Sequence, residues 1–289
     1  MTTSTIARSI SRPVRERLQR LEEGQSAGRV LAVFDRACDL ITDDGDVVAL
    51  VVPQVGNGPL NVVVDDTARY FAGIVPGTRV SLEKGRLWVG ELAVDLTSAA
   101  VWDPRPDWDA LRARRDAIAP QASFLRALCL REAPTGSLLA LLEDTLADDT
   151  PTRVVLSTAQ KAAQALQAGR AGDLERLRES AARLAGLGSG LTPAGDDFLT
   201  GAMLRAWLDH PTPRALCSTM VEVTAPRTTT LSAAFLRAAA RGECNAPWHT
   251  LLAALSKGVE AAITAAVQEV LTHGATSGAD ALAGFLYLA

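Results

Sequence analysis

Histidine is scarce in this chain and cysteine is dispersed. The three histidines, His210, His249 and His273, include no i,i+4 pair, so a zinc site or a histidine-based catalytic triad has little support. Cys38, Cys129, Cys217 and Cys244 lie far apart, with no pair at zinc-ligand or redox spacing, and read as buried reduced thiols of a cytoplasmic protein. Positive charge is not in excess. A formal charge of −4, from 29 basic and 33 acidic residues, argues against nucleic acid as the main partner. No long Lys/Arg cluster offsets that balance, and Arg112, Arg114 and Arg115 read as the wet face of a helix. Arg8, Arg12, Arg15 and Arg17 are not preceded by the apolar core of a signal peptide. The most apolar late stretch, 251–271, contains Lys257, Glu260, Gln268 and Glu269, which is wrong for a membrane span. The expectation is a soluble, cytoplasmic protein.

What is present is enough apolar sequence for a good core: 48% hydrophobic against 21% charged residues, over a length that suits one large or two modest domains. Residues 28 to about 100 look β-rich. The apolar runs 47–52 and 60–64 flank Gly56-Asn57-Gly58-Pro59, a cluster of turn formers. Segments 80–82 and 87–89 flank a hairpin at Lys84-Gly85, and 91–95 alternates as a half-buried strand. Short strands at this spacing indicate a small barrel or sandwich. The stiff segment Trp102-Asp103-Pro104-Arg105-Pro106 marks a boundary. An α+β protein is expected, with a β-rich domain and short leading helix over 1–105 and a larger all-helical domain over 106–289. Helices are expected around Leu111 and Ile118, over 138–146, after Thr150-Pro151 and Thr212-Pro213, from Asp173 to Gly186, and over 196–208, 228–240, 247–272 and 279–288.

The helical part carries a short repeat. Gly195-Asp196-Asp197-Phe198-Leu199-Thr200-Gly201 and Gly278-Ala279-Asp280-Ala281-Leu282-Ala283-Gly284 both fit Gly-x-Asp-x-Leu-x-Gly, and each runs into a helical pattern. Gly186, Gly188 and Gly190 precede the first copy and superficially resemble a dinucleotide loop. No strand leads into them, and no Gly-Lys-Ser/Thr follows, so the Rossmann and Walker readings both fail. Glycine allows close backbone approach, and a helix start offers free N–H groups and partial positive charge. Two such starts suggest a paired site for a small anionic or metal-bound ligand. Consecutive aspartates on a helix point roughly 100° apart, so one of Asp196 and Asp197 caps backbone N–H groups while the other faces the site. Asp280 is the counterpart of Asp197. If the two starts converge, Asp197 and Asp280 hold a Mg²⁺ with waters or accept from an amide NH₂. The plainer alternative is that each bonds into the opposite loop and locks it. Pro226-Arg227-Thr228-Thr229-Thr230-Leu231-Ser232 suits a carboxylate or phosphate, or is a capping run on a surface helix. Lys161, Arg241 and His273 are further polar candidates with a surface role as the simpler reading.

Taken together, these residues resemble the AllH (YlbF-like) family. Its namesake is a subunit of oxamate carbamoyltransferase in bacterial allantoin breakdown. The resemblance runs through Val33-Phe34-Asp35-Arg36-Ala37-Cys38-Asp39-Leu40, Gly56-Asn57-Gly58-Pro59, Leu87-Trp88-Val89-Gly90, the Gly-Leu-Thr-Pro-x-Gly-Asp-Asp-Phe-Leu run at 190–199, 229–232 and 276–284. It implies a reaction in which carbamoyl phosphate and oxamate interconvert with oxalurate and phosphate. It brings no established catalytic residues with it. Such chemistry asks for anion donors and for polarisation of the carbamoyl carbonyl. Backbone N–H groups around Gly190 to Asp197, Gly195 included, and from Gly278 to Asp280 are expected to bind phosphate or carboxylate. Thr192, Thr229, Ser232 and Ser277 add hydroxyls, and Arg227 and Asp196 complete the substrate-binding set. Asp197 and Asp280 are the catalytic candidates, orienting an amide or a Mg²⁺. The namesake works with other subunits, so protein partners or a homo-oligomer are expected. A non-catalytic scaffold subunit is the alternative. A ligand-sensing regulator ranks below both, because no DNA-reading segment is recognisable. The Gly56–Pro59 turn reaches the helical site or is a plain β-turn.

Overall fold

A computed structural model of the chain describes residues 3–21, 26–65, 71–143 and 150–289, with side chains of the last segment from residue 154 onward. The chain divides into two compact units, Met1–Pro104 and Arg105–Ala289.

The first unit is a barrel rather than a sandwich. Its strands are β1 (Thr3–Ser11), β2 (Ser26–Val33), β3 (Ala37–Ile41), β4 (Val47–Val51), β5 (Asn61–Val64), β6 (Arg79–Glu83), β7 (Arg86–Val89), β8 (Leu92–Asp95) and β9 (Ala100–Trp102), with helix α1 (Arg12–Leu18) after β1. Neighbours run β5-β4-β3-β2-β6-β7-β8-β1, and an antiparallel β1–β5 pairing closes the ring of eight. Strand β9 pairs in parallel with the end of β1. Closure removes the exposed edges that an open sheet would leave. The apolar run of β4 follows from it: Val48 and Leu50 join Val62, Val64, Leu87, Val89 and Val94 in one core, while Ala49 and Val51 pack with Val63 in a second small cluster. β8 likewise departs from the half-buried alternation expected of 91–95, since Leu92, Ala93 and Val94 are all buried. Lys84 and Gly85 form the expected two-residue hairpin, both with positive φ (48° and 74°), as a type I′ turn between paired β6 and β7 demands. The turn 56–59 is latched within its own unit: Ser9 Oγ donates to Asn57 Oδ1 at 2.6 Å, Ser11 Oγ to the Pro59 carbonyl at 2.8 Å, and Asn61 Nδ2 to the Gly56 carbonyl at 2.8 Å.

The second unit is helical. It contains α2 (Trp108–Ala113), α3 (Arg115–Ile118), α4 (Gln121–Glu132), a 3₁₀ turn at Leu138–Leu142, α5 (Thr150–Arg170), α6 (Leu174–Leu184), α7 (Ala194–Asp209), α8 (Pro213–Thr224), a 3₁₀ turn at Ala225–Arg227, α9 (Thr230–Ala240), α10 (Ala246–Lys257), α11 (Glu260–Leu271) and α12 (Ser277–Tyr287). Three sequence expectations change here. The helix expected over 138–146 is only the short 3₁₀ turn, and 144–149 lie outside the described residues, as does any capping by the Thr150 side chain. The helix expected over 247–272 is two helices. Gly258 takes φ +69° and its N–H bonds to the Ala254 carbonyl, ending α10 before Val259 starts α11. Arg112 is no simple wet-face residue either: its guanidinium donates to the carbonyls of Trp207 (2.7 Å) and His210 (2.9 Å) at the end of α7. All four cysteines are buried free thiols. Among the described residues no helix is long and apolar enough to cross a membrane.

Helices α7 and α12 are apolar around most of their circumference and form the centre of this unit. They touch backbone to backbone. A Cβ on Gly201 would sit 1.7 Å from the Ala281 carbonyl oxygen, and one on Gly284 would sit 1.9 Å from that of Phe198. The relation is reciprocal, because each contact joins the last glycine of one motif copy to the fourth residue of the other.

Candidate active site at the paired helix starts

The first glycine of each copy is also a packing point. A Cβ on Gly195 would lie 2.0 Å from the Leu184 carbonyl oxygen at the end of α6, and one on Gly278 would lie 2.0 Å from that of Val270 in α11. Both copies therefore fold the same way: a helix ends, the chain reverses, and the next helix starts hard against the one before it. Gly186, Gly188 and Gly190 make the first reversal with φ values of +69°, +112° and +97°, a region that residues with a Cβ rarely occupy.

This packing brings the helix starts together. Thr192 Oγ1 and Ser277 Oγ are 3.0 Å apart, although 85 positions separate them in sequence. Asp197 and Asp280 each occupy the fourth position of their helix. The Asp197 carboxyl is pushed up to about 8, first by loss of water and then by the charges of Asp280 and Asp196, against hydrogen bonds from Ser277 and Thr192. Asp280 is fully buried, and desolvation raises its carboxyl to about 6 despite a bond from the backbone N–H of Leu138 at 2.6 Å. Each residue keeps one buried carboxyl oxygen, Oδ2, with no hydrogen-bond partner among the described residues. Such an atom is costly to leave unmet, and it is an atom on which a ligand can act.

Asp196 has a different part. It is buried, and its two oxygens accept from the Gly186 N–H at 3.0 Å, from Ser232 Oγ at 2.9 Å and from the Thr228 hydroxyl. It ties the glycine loop to the start of α9. Thr229 does the same from the other side, capping α9 by accepting from the Ser232 N–H (3.0 Å) and donating to the Leu191 carbonyl (2.6 Å). Of the aspartate pair, Asp196 is the one that holds backbone, through the Gly186 N–H, together with two hydroxyls. The run 228–232 braces the loop, whereas Arg227 is exposed and its guanidinium donates to the Val223 carbonyl of its own helix region. Gly190 is exposed with open space around its α-carbon. Lys161 is exposed, Arg241 is paired through two bonds of 2.8 and 2.7 Å with Glu243, and burial lowers the His273 imidazole.

Several N–H groups expected to cradle an anion are already donated within the chain. Those of Asp196 and Asp197 bond to the Pro193 carbonyl (2.9 and 3.2 Å), that of Gly195 to Leu187 (2.8 Å), that of Gly278 to His273 (3.0 Å) and that of Asp280 to Thr276 (2.8 Å). What the two helix starts leave on offer is therefore mainly side chains: the carboxyls of Asp197 and Asp280 and the hydroxyls of Thr192 and Ser277. That donor set is chemically able to hold a Mg²⁺ completed by water, but among the described residues no group of three His, Cys, Asp or Glu side chains comes together. The backbone of Leu138, 142 positions from Asp280, has no signature in the sequence that points to this site.

No solved structure matches the chain. Residues 184–289, which contain both motif copies, match the family described as oxamate carbamoyltransferase subunit AllH, and residues 6–101, which make the barrel, match the AllH family N-terminal domain. The chain belongs to the AllH family.

Proposed function

We propose that this chain is a subunit of a carbamoyltransferase-type enzyme and holds a small carbamoyl-bearing anion at the paired starts of α7 and α12. The observation that carries this reading is the unmet, buried Oδ2 on both Asp197 and Asp280, at equivalent positions of the two helices. The family description supports the reaction class and the role of a subunit, which implies protein partners. In the transfer, the amide nitrogen of oxamate attacks the carbamoyl carbon, the bond from that carbon to the phosphate oxygen breaks, and phosphate leaves. The proton lost by the attacking nitrogen passes to Asp280, whose carboxyl lies near neutrality and suits a general base. Asp197, still protonated near pH 7, donates toward the carbamoyl oxygen as negative charge develops there. Thr192 and Ser277 hold the orientation of Asp197. Asp196, Thr228, Thr229 and Ser232 fix the loop on which Asp197 depends.

Thermal unfolding with and without carbamoyl phosphate, oxamate, oxalurate and phosphate tests the reading. A ligand at about 100 times its Kd stabilises the fold by about 2.7 kcal/mol, so a rise of several degrees is expected and should vanish in Asp197→Ala. A second reading, a scaffold subunit, is favoured by one observation: all four motif glycines pack against backbone carbonyls of neighbouring helices. In that case no compound shifts the transition, and Asp197→Ala still assembles with its partner subunits.

A further inference from the structure

Asp197 and Asp280 hold equivalent positions of α7 and α12, but their partners differ in kind. Asp197 has hydroxyls beside it, those of Ser277 and Thr192. A hydroxyl donates or accepts, so it serves a carboxylate and a neutral carboxyl alike. Asp280 instead meets a backbone N–H, that of Leu138, which donates to its Oδ1 at 2.6 Å. An N–H can only donate, and a contact this short is that of a charge-assisted bond to an ionised oxygen. The Thr276 hydroxyl is a lesser influence, the ionisable neighbour across the helix pair is the acid Asp197, and burial holds His273 neutral.

The Leu138 N–H is held in place by a segment with a firm anchorage of its own. Ser137 N–H bonds to the Pro134 carbonyl at 3.2 Å, and Gly136 makes the bend with φ +84°. Ser137 is extended, with ψ 157°, and Leu138 is the first residue of the 3₁₀ turn that follows. The first N–H of a helical turn has no acceptor inside the turn and points away from it. Leu138, Leu139, Leu141 and Leu142 are all buried in the helical core, and the Arg126 guanidinium of α4 donates to the Leu142 carbonyl. Lifting this turn would expose four leucines, at about 1.5–3 kcal/mol each, so the donor stays where the turn puts it.

From this arrangement we infer that the 3₁₀ turn at Leu138–Leu142 is a positioning element of the site: the Leu138 N–H claims Oδ1 of Asp280, aims the carboxylate, and leaves Oδ2 as the oxygen for a ligand. Leu138 is a positioning residue that acts through Asp280 and through its backbone alone. The two motif copies are thereby made unequal by a group outside both of them, 142 positions from Asp280. The inference rests on the ligand site proposed above and goes beyond it, since it adds a third chain segment to the two helix starts.

Comparing Leu138→Pro with Leu138→Ala in the full chain isolates the N–H. Both variants lose the buried leucine side chain, and only proline loses the donor. Proline fits the first residue of a helical turn, and the extended Ser137 has the conformation that a residue before proline takes. Carboxyl ¹³C NMR, with Asp280 assigned through Asp280→Asn, should show Asp280 titrating about one to two pH units higher in Leu138→Pro than in Leu138→Ala, the effect of losing one hydrogen bond to a charged group. Equal titration in the two variants overturns the inference. In the wild type the Leu138 amide resonance should move with pH at the same midpoint as the Asp280 carboxyl. An amide resonance that stays flat overturns the inference even where Leu138→Pro fails to fold. Calorimetric titration with carbamoyl phosphate separates this claim from the one it rests on. Binding on the order of tenfold weaker in Leu138→Pro than in Leu138→Ala supports the positioning role, and equal binding overturns it. No binding by the wild type overturns the ligand site, while the NMR titrations still decide what holds Asp280.

Discussion

Asp197 joins a candidate ligand contact to a stability effect with a definite sign. Its carboxyl is raised from 3.8 to about 8, mainly by desolvation, so the folded chain keeps a proton there that the unfolded chain releases. The stability this protonated acid leaves intact is fully present below the unfolded value of 3.8 and declines as pH rises toward about 8. The slope is at most about 1.4 kcal/mol per pH unit for one group. Asp197→Asn stays neutral, so we expect its melting temperature to fall less steeply than that of the wild type between about pH 5 and pH 8, and to lie above it at the upper end. Parallel melting curves for the two proteins across that range would contradict the burial of this acid. Asp196 carries no such expectation of gain, because its oxygens already meet three donors. Here the sequence was informative up to a point. Two adjacent aspartates on a helix had to diverge, but which of them would be met by the loop depended on Thr228 and Ser232, more than 30 positions away.

At the scale of elements, the repeat Gly-x-Asp-x-Leu-x-Gly encodes a helix crossing. Its outer glycines were legible as sites of close backbone approach, yet what approaches is a carbonyl of another helix. Gly201→Ala would place a methyl 1.7 Å from a carbonyl oxygen and force α7 and α12 apart. Gly190→Ala meets open space and suffers only its φ of +97°. Chemical denaturation should therefore separate them: a loss of about 3 kcal/mol or more for Gly201→Ala, against about 1–2 kcal/mol for Gly190→Ala. The same scale shows why one helix boundary was missed. An Ala-rich apolar pattern runs across Gly258 without a change of period, and a single glycine inside such a run is tolerated often enough that only its left-handed φ marks the break.

At the scale of the whole molecule, each compact unit has its own core, one centred on inward valines and leucines of the barrel and one on α7 and α12. Every residue of the proposed site belongs to the second unit. Leu50→Ala in the barrel core should cost about 2–5 kcal/mol of that unit's stability. It should leave the affinity for carbamoyl phosphate unchanged at temperatures where both units are folded; a parallel loss of affinity would mean that the barrel contributes to binding. The strand-rich first part and the helical remainder were readable from local pattern, because turn chemistry and side-chain period are properties of neighbouring residues. Closure of the barrel was not, since it rests on β1 pairing with β5 across more than 50 positions. The repeat likewise announced two equivalent helix starts with an aspartate each. Only the tertiary structure decided that they meet, that their glycines are taken up by helix packing, and that Asp197 and Asp280 are left desolvated with an unmet oxygen each, because burial and charge are set by what surrounds a residue in space.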